Sequence, residues 1–139
     1  MKEDQRERLS GTCLCGAVAF GVSGTIAGFY LCHCHRCQKA SGSAHGANLF
    51  IKDGAVDWLS GQEHVKSYQL PDSNNARSFC SCCGSPLPHF HEAIGQWQIP
   101  AGSLDTPITR APDAQIFVAS RPDWSEKRDT VRCFDALPE

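Results

Sequence analysis

Three short clusters hold eight of the nine cysteines of this 139-residue chain. They are TCLCG with Cys13 and Cys15, CHCHRC with Cys32, Cys34 and Cys37, and CSCCG with Cys80, Cys82 and Cys83. The count is odd, the clusters are tight, and the start MKEDQRERLSGT lacks the apolar run of an export signal. Clustered thiols in a reducing compartment are more often metal ligands than disulfides. The pattern therefore predicts metal sites and a cytoplasmic location.

The motif Cys80-x-x-Cys83, followed by a glycine, has the spacing of a zinc knuckle. In such a turn both sulfurs face the metal and the middle residues face outward, which leaves Cys82 outside the site. Cys13 and Cys15 supply a second pair of ligands, because residues i and i+2 lie on the same side of a strand. These four cysteines are thus predicted to hold a structural zinc that ties the N-terminal segment to the middle of the chain.

The cluster of Cys32, Cys34 and Cys37 then has three ligands and no obvious fourth. Three protein ligands plus an exchangeable position are the arrangement of a catalytic zinc. An open position accepts water, or an incoming thiol whose proton the metal makes acidic. The alternative is a second closed site, completed by one of four residues: His33, His35, Cys82 or Cys133. Cys82 is the most serious competitor among them.

The rest of the chain consists of short runs typical of β-strands, separated by turn residues. No segment keeps a 3.6-residue apolar period over three turns, and HRCQKASG allows one or two helical turns at most. SGT at 23–25 and KDG at 52–54 are expected to break the first four runs apart. The predicted strands are Ala17–Val22, Ile26–Leu31, His45–Ile51, Ala55–Leu59, His64–Leu70, Arg77–Cys80, His89–Ala93, Gln96–Ala101 and Gln115–Ser120. We predict an all-β, zinc-containing domain built from antiparallel sheets.

Composition limits the classes of function. Hydrophobic residues make up 41% and charged residues 20% of the chain, which is ordinary for a globular protein. The net charge of -2 and the pI near 6.3 argue against a protein that binds nucleic acid by neutralising phosphates. No apolar run reaches the ~18–20 residues that span a membrane. We expect one domain over residues 1–139, with a core of about 11–124, a C-terminal tail, and no nucleic-acid or membrane partner.

The motifs together resemble a known enzyme family. TCLCGAVAF, CHCHRCQKASGSAHG and RSFCSCCGSPL, in this order, are similar to the glutathione-dependent formaldehyde-activating enzymes, and the similarity extends through Gly102–Asp105 to Ala119–Trp124. The resemblance implies a β-tent fold, also found in centromere protein V, with two zinc ions per chain. It assigns Cys13, Cys15, Cys80 and Cys83 to a structural zinc and Cys32, Cys34 and Cys37 to a catalytic zinc.

The resemblance also implies a reaction. The named activity of the family joins glutathione and formaldehyde into S-hydroxymethylglutathione, so a carbon–sulfur lyase or synthase acting on glutathione adducts is expected. The reactive form of a thiol is its thiolate, and a zinc site could deprotonate the thiol and hold it beside the carbonyl. Two alternatives stay open: a family enzyme that handles another small thiol and electrophile, and a non-catalytic binding module stabilised by zinc.

Few sequence signals point to substrate contacts. Glutathione carries two carboxylates and an amine, so cationic and amide side chains should bind it. Arg36, Gln38 and Lys39 lie beside the CHCHRC motif and are the candidates, although such residues often form a solvated loop face. His89 and His91 share one face of a predicted strand and could transfer protons, ligate a metal or simply cover the sheet. The spacing singles out no general acid or base.

Overall fold

The computed structural model describes residues 6–126 and 128–138, and within them the chain forms nine strands and one α-helix. The strands are β1 (Arg6–Thr12), β2 (Ala19–Cys32), β3 (Gly46–Ser60), β4 (Val65–Gln69), β5 (Ala76–Cys80), β6 (Pro86–Leu87), β7 (His89–His91), β8 (Gln96–Pro100) and β9 (Ala114–Ile116). The helix is α1 (His35–Ser41). Short 3₁₀ turns cover Gln62–His64, Ala101–Ser103, Val118–Ser120, Asp123–Ser125 and Arg128–Thr130.

The strands form two sheets. The larger has the order β1-β2-β3-β8-β7, with antiparallel neighbours throughout. Strand β9 adds to the end of β2 as the single parallel pairing of the described strands. The smaller sheet has the order β4-β5-β6 and is antiparallel. The predicted all-β, mainly antiparallel class is therefore confirmed, together with one short helix at HRCQKAS.

The predicted breaks at SGT and KDG are wrong, because β2 and β3 run through them as long paired strands. Ser23 pairs with Ala55 and Thr25 with Lys52, so one residue of β2 opposes two of β3 in a β-bulge. Gly24 has φ 147°, and a Cβ there would stand 2.8 Å from the Cα of Gly54. The glycines let two bent strands approach closely instead of ending them.

The core lies where the two sheets pack together. Phe20, Leu49, Ile51 and Ile99 come from the larger sheet and Leu87 from the smaller one, and all five are fully buried. Burial alternates along the first part of β2, from Ala19 to Gly24, as the period-2 geometry of a strand requires. The smaller sheet is thus fixed to the larger one by apolar packing.

Other differences from the prediction concern strands that were missed or that end early, including β7, which ends at His91 instead of Ala93. β1 was not predicted, because its charged side chains face outward while Leu9 and Gly11 are buried. β6 has two residues and was also not predicted. The strand predicted at Gln115–Ser120 ends at Ile116, since Phe117 adopts a left-handed φ of 56° and a 3₁₀ turn follows.

In residues 6–126 and 128–138, no helix has the length and apolar character to cross a membrane.

Candidate metal centres and active site

The four-cysteine cluster consists of Cys13, Cys15, Cys80 and Cys83. Their Sγ atoms all lie within 4.8 Å of one another, and those of Cys13 and Cys15 are 3.6 Å apart. Four sulfurs at Zn–S distances of about 2.3 Å in a tetrahedron are roughly 3.8 Å apart. The donor set therefore fits zinc in both chemistry and spacing.

A tight turn after β5 positions half of this cluster. The Gly84 N–H donates to Cys80 O over 2.7 Å, and the Cys80 N–H donates to Ser85 O over 2.9 Å. Gly84 adopts φ 77°, a conformation that costs glycine little. Cys82 is exposed, and its backbone N–H points back to Cys80 Sγ over 3.4 Å. The middle residue of the knuckle thus faces away from the cluster.

The loop between β1 and β2 supplies the other half. The Val18 N–H donates to Cys13 Sγ over 3.3 Å. Ser85 Oγ accepts from the Leu14 N–H over 3.0 Å and from Cys83 Sγ over 3.2 Å. This serine joins the two loops, so the cluster links β1 and β2 of the larger sheet to β5 of the smaller one.

The pKa values of the thiols in this cluster are shifted by neighbouring groups and by one another. When Cys83 is ionised, the hydroxyl and the backbone N–H of Ser85 donate to its thiolate, and these bonds lower the pKa of Cys83 to about 5. At Cys15 the Ala17 N–H lowers the pKa, but the neighbouring thiols, led by Cys13, outweigh it and raise the pKa to about 12. Such packed thiols ionise together only when a cation balances their charge.

The three-cysteine cluster consists of Cys32, Cys34 and Cys37, whose Sγ atoms also lie within 4.8 Å of one another. Cys32 ends β2, Cys34 caps helix α1, and Cys37 lies in its first turn. The Cys37 N–H donates to Cys34 Sγ over 3.3 Å, and burial followed by the two neighbouring thiols raises the pKa of Cys37. The change from strand to helix turns the three sulfurs toward one point, and this soft donor set also suits zinc.

Within the described part of the chain, no fourth cysteine, histidine or carboxylate joins the three-cysteine cluster. His33 is 1% exposed, and its Nε2 lies 2.9 Å from Gln115 Oε1. His35 is exposed on the helix. Cys82 and Cys133 are exposed and lie outside both clusters. None of the four competitors is in position to close the site.

A cleft opens beside the three-cysteine cluster. Its inner cavity, of about 180 Å³, is lined by Cys32 and Cys37 together with Arg36 and Arg77. An outer cavity of about 790 Å³ adjoins it. The two cavities share five lining residues, namely Phe50, Asn74, Ala76, His91 and Gln98. They form one continuous cleft between the end of β2, the β4–β5 hairpin and strands β7 and β8.

Comparison with known protein families identifies the family of this chain. Residues 8–120 match the profile of the family described as glutathione-dependent formaldehyde-activating enzyme. The chain belongs to this family. The match spans all three cysteine motifs and most of both sheets, and it confirms the resemblance seen in the sequence. The family description is that of an enzyme acting with glutathione and formaldehyde.

Two known proteins are similar to this family member. A provisionally named glutathione-dependent formaldehyde-activating enzyme of Halomonas elongata is 34% identical over 143 residues, which cover 94% of this chain and 89% of that protein. A crystal structure of a Rhodobacter sphaeroides protein superimposes with a TM-score of 0.58 at 19% identity, over 77% of this chain and 99% of that one. The second similarity supports the fold alone.

The predicted glutathione contacts of this family member lie in three different environments. Arg36 lines the inner cavity. The amide nitrogen of Gln38 donates to His33 O over 2.8 Å and to Ser120 O over 2.9 Å, so it fastens the helix to the chain around it. Lys39 is exposed on α1 and is absent from the lining of the cleft.

Several cleft residues of this family member carry no signal in the sequence. Arg77, Asn48 and Gln98 come from β5, β3 and β8, and only strand pairing brings them near CHCHRC. The sequence presents His91 only as one of a pair on a strand face. The structure places it in both cavities, whereas His89 lines the outer one.

Proposed function

We propose that this chain is a zinc-dependent carbon–sulfur lyase that interconverts S-hydroxymethylglutathione with glutathione and formaldehyde. The observation that carries the proposal is the three-cysteine cluster, which has no fourth ligand among the described residues and borders a cleft. A purely structural site gains most from four protein ligands, as in the four-cysteine cluster. Three ligands beside a cavity leave space for a substrate.

We assign two zinc ions per chain. Cys13, Cys15, Cys80 and Cys83 would hold the structural ion, and Cys32, Cys34 and Cys37 the catalytic one. A zinc in the second site would supply a positive centre that makes a nearby thiol more acidic. All nine cysteines are free of disulfides, which agrees with our proposal of a reducing, cytoplasmic location.

The charges of the cleft support glutathione as the thiol. Arg36 and Arg77 line the inner cavity, and no acidic residue of the described chain lines it. The outer cavity instead has Glu92 and no lysine or arginine in its described lining. Glutathione would therefore place a carboxylate at the arginines, which favour planar carboxylates, and its thiol toward Cys37.

Other residues of the cleft would set the direction from which glutathione approaches the three-cysteine cluster. Arg77 lies over the ring of Phe79 at 5.7 Å, which restrains its guanidinium. Asn48 on β3 adds an amide donor to the same cavity. Gln38 would act by holding α1 in place, and Lys39 by attracting the anionic substrate from solvent. Arg36 is the member of the predicted trio that we assign to direct contact.

In the synthetic direction, one carbon–sulfur bond forms between the substrate sulfur and the carbonyl carbon. The π bond of the C=O group breaks, and the thiol proton ends on the former carbonyl oxygen. No electrons are exchanged with an external partner, so the protein needs to bind, orient and move one proton. Holding both reactants in one small cavity lowers the entropic part of the barrier.

A second electrophile class is favoured by the size of the outer cavity. Formaldehyde has two heavy atoms, whereas the outer cavity holds about 790 Å³ and is lined by the apolar side chains of Phe50, Phe90 and Ile94. An aldehyde with an alkyl or aryl group could occupy this space. Competing rates for formaldehyde and benzaldehyde with the same thiol would decide which electrophile the cleft accepts.

The proposed function is tested by metal analysis combined with NMR exchange spectroscopy. We expect two zinc ions per chain and faster exchange between formaldehyde and S-hydroxymethylglutathione than in protein-free buffer. Cys37→Ser should retain one zinc and lose the acceleration. Cys82→Ser is the matched control and should retain both. Two bound zinc ions without any acceleration would instead identify a zinc-stabilised binding module.

A further inference from the structure

We propose that His91 is the proton-transferring residue of the cleft, and that Gln98 and His89 position it. This inference rests on the proposed function and adds the acid–base group that the sequence did not single out. It is carried by the location of His91 and by the hydrogen bonds of the histidine pair.

His91 is the histidine that lines the inner cavity together with Cys32 and Cys37. That cavity of about 180 Å³ is equivalent to roughly six water molecules. A substrate thiol and carbonyl group bound at the cysteines therefore share a small cavity with the imidazole, which is half-buried.

Gln98 sets the protonation pattern of His91. The Nε2 atom of His91 lies 2.7 Å from Gln98 Oε1, and an amide oxygen only accepts hydrogen bonds. Nε2 therefore carries the proton in the neutral ring, and Nδ1 keeps a lone pair that can accept one. Gln98 itself lies on the central part of β8 and lines both cavities. A neutral side chain thus fixes the tautomer without holding a charge in the site.

His89 fixes the ring from the other side. The two imidazoles meet edge to face, with centroids 4.9 Å apart. His89 Nδ1 lies 2.7 Å from the buried Ser78 Oγ, which is 2.8 Å from Ser67 Oγ in the smaller sheet. Burial and then the neighbouring His91 lower the pKa of His89. His89 therefore stays neutral when His91 accepts a proton, and only one ring of the pair becomes charged.

The proposed step balances in atoms and charge. The substrate thiol gives its proton to Nδ1 of His91 as its sulfur attacks the carbonyl carbon. The π electrons of the C=O bond move to the oxygen, which then takes the proton back from His91. The imidazole is regenerated and the product contains every atom of both reactants. In the reverse direction His91 removes the hydroxyl proton and returns it to the leaving sulfur.

Metal binding is a less suitable role for the histidine pair. Within the described chain, the groups able to hold a metal are the two cysteine clusters, and neither contains His89 or His91. One ring nitrogen of each imidazole already lies 2.7 Å from a hydrogen-bond partner, Ser78 Oγ for His89 and Gln98 Oε1 for His91. The pair is therefore arranged to hold and move a proton.

The test compares His91→Asn with His64→Asn, a histidine outside the cleft that pairs with Glu63. Exchange rates between glutathione, formaldehyde and their adduct are measured by NMR between about pH 5 and 8. We expect His91→Asn to lose about 10²-fold in rate at saturating glutathione, as for removal of a general acid–base. Zinc content and KM for glutathione should be unchanged, and His64→Asn should equal the wild type.

The pH profile gives a second readout that a structural role would not move. An acid–base role of His91 should give the wild-type rate a dependence on pH that His91→Asn lacks. Other charged or titratable groups also affect the profile, namely His89, Glu92 next to His91 in the chain, Arg36 and Arg77 of the inner cavity, and the cysteine cluster. The variant is therefore compared with the wild type at each pH. Added imidazole should partly restore His91→Ala.

The outcomes separate this inference from the proposed function. A His91→Asn rate within twofold of the wild type, or a loss accompanied by loss of zinc and without imidazole rescue, overturns the role of His91 alone. Absence of any acceleration by the wild type overturns the proposed function, and with it this role.

Discussion

The two cysteine clusters are made of the same side chain but differ in how the fold surrounds them. The four-cysteine cluster joins loops of both sheets, with Cys13 and Cys80 buried and Ser85 connecting its two halves. The three-cysteine cluster is built from one continuous segment at the end of β2, and a cleft opens on it. A metal held between two sheets contributes to folding. A metal held at a strand end beside a cavity leaves room next to it for a substrate.

The clusters are nevertheless connected by one strand. β5 carries Arg77 near its start and ends at Cys80, so the strand that enters the four-cysteine cluster also brings a cation to the cleft. The turn after β5 that enters the four-cysteine cluster and the pairing of β5 with β4 set where that cation lies. Under the proposed function, the four-cysteine cluster would thus contribute to substrate binding through the position of a strand.

The largest expected effect is loss of folding in Cys80→Ser. Cys80 is fully buried and its Sγ belongs to the cluster that ties the two sheets together. Binding free energy of a structural zinc is folding free energy, on the order of 10 kcal/mol in small domains. We expect little folded protein by circular dichroism and a strongly lowered Tm. Cys82→Ser, two residues along the same turn, should melt like the wild type. Equal melting curves for the two variants would contradict a structural role for the cluster.

A chelator should separate the clusters by the order in which they lose metal. The three-cysteine cluster has one protein ligand fewer and borders a cleft, so its zinc is expected to leave first. Zinc release, far-ultraviolet circular dichroism and exchange activity are followed together as chelator is added. Activity should disappear after about one zinc per chain is lost, with the β-sheet signal retained until the second leaves. Simultaneous loss of both metals and of structure would contradict the proposed division.

The sequence predicted what local spacing determines. Cys32, Cys34 and Cys37 are at i, i+2 and i+5, and a strand that turns into a helix brings them together without help from distant residues. The Cys80-x-x-Cys83 turn is equally local. The all-β class also followed from short runs of strand-forming residues. These features depend on a few neighbouring dihedral angles, so they can be predicted from the local residue pattern.

Features set by long-range pairing could not be predicted in the same way. Arg77 and His91 reach the cleft because β5 pairs with β4 and β7 pairs with β8. The sequence predicts turns at Gly24 and Gly54, yet each allows close backbone approach in a bulge whose partner is some thirty residues away. The sequence shows such residues but not the partner strand, and the partner decides their role.

The smallest expected effect tests the connection through β5. Arg77→Gln removes one of the two cations of the inner cavity while leaving the cysteines of both clusters in place. A charge-assisted hydrogen bond contributes about 1.5–3 kcal/mol, so KM for glutathione should rise at least about 10-fold. Rate at saturation should change little, because a carboxylate contact binds substrate and transition state alike. Lys52→Gln, an exposed cation on β3 outside the lining of the cleft, is the matched control and should leave KM within twofold. An unchanged KM in Arg77→Gln would mean that β5 serves the structural cluster alone.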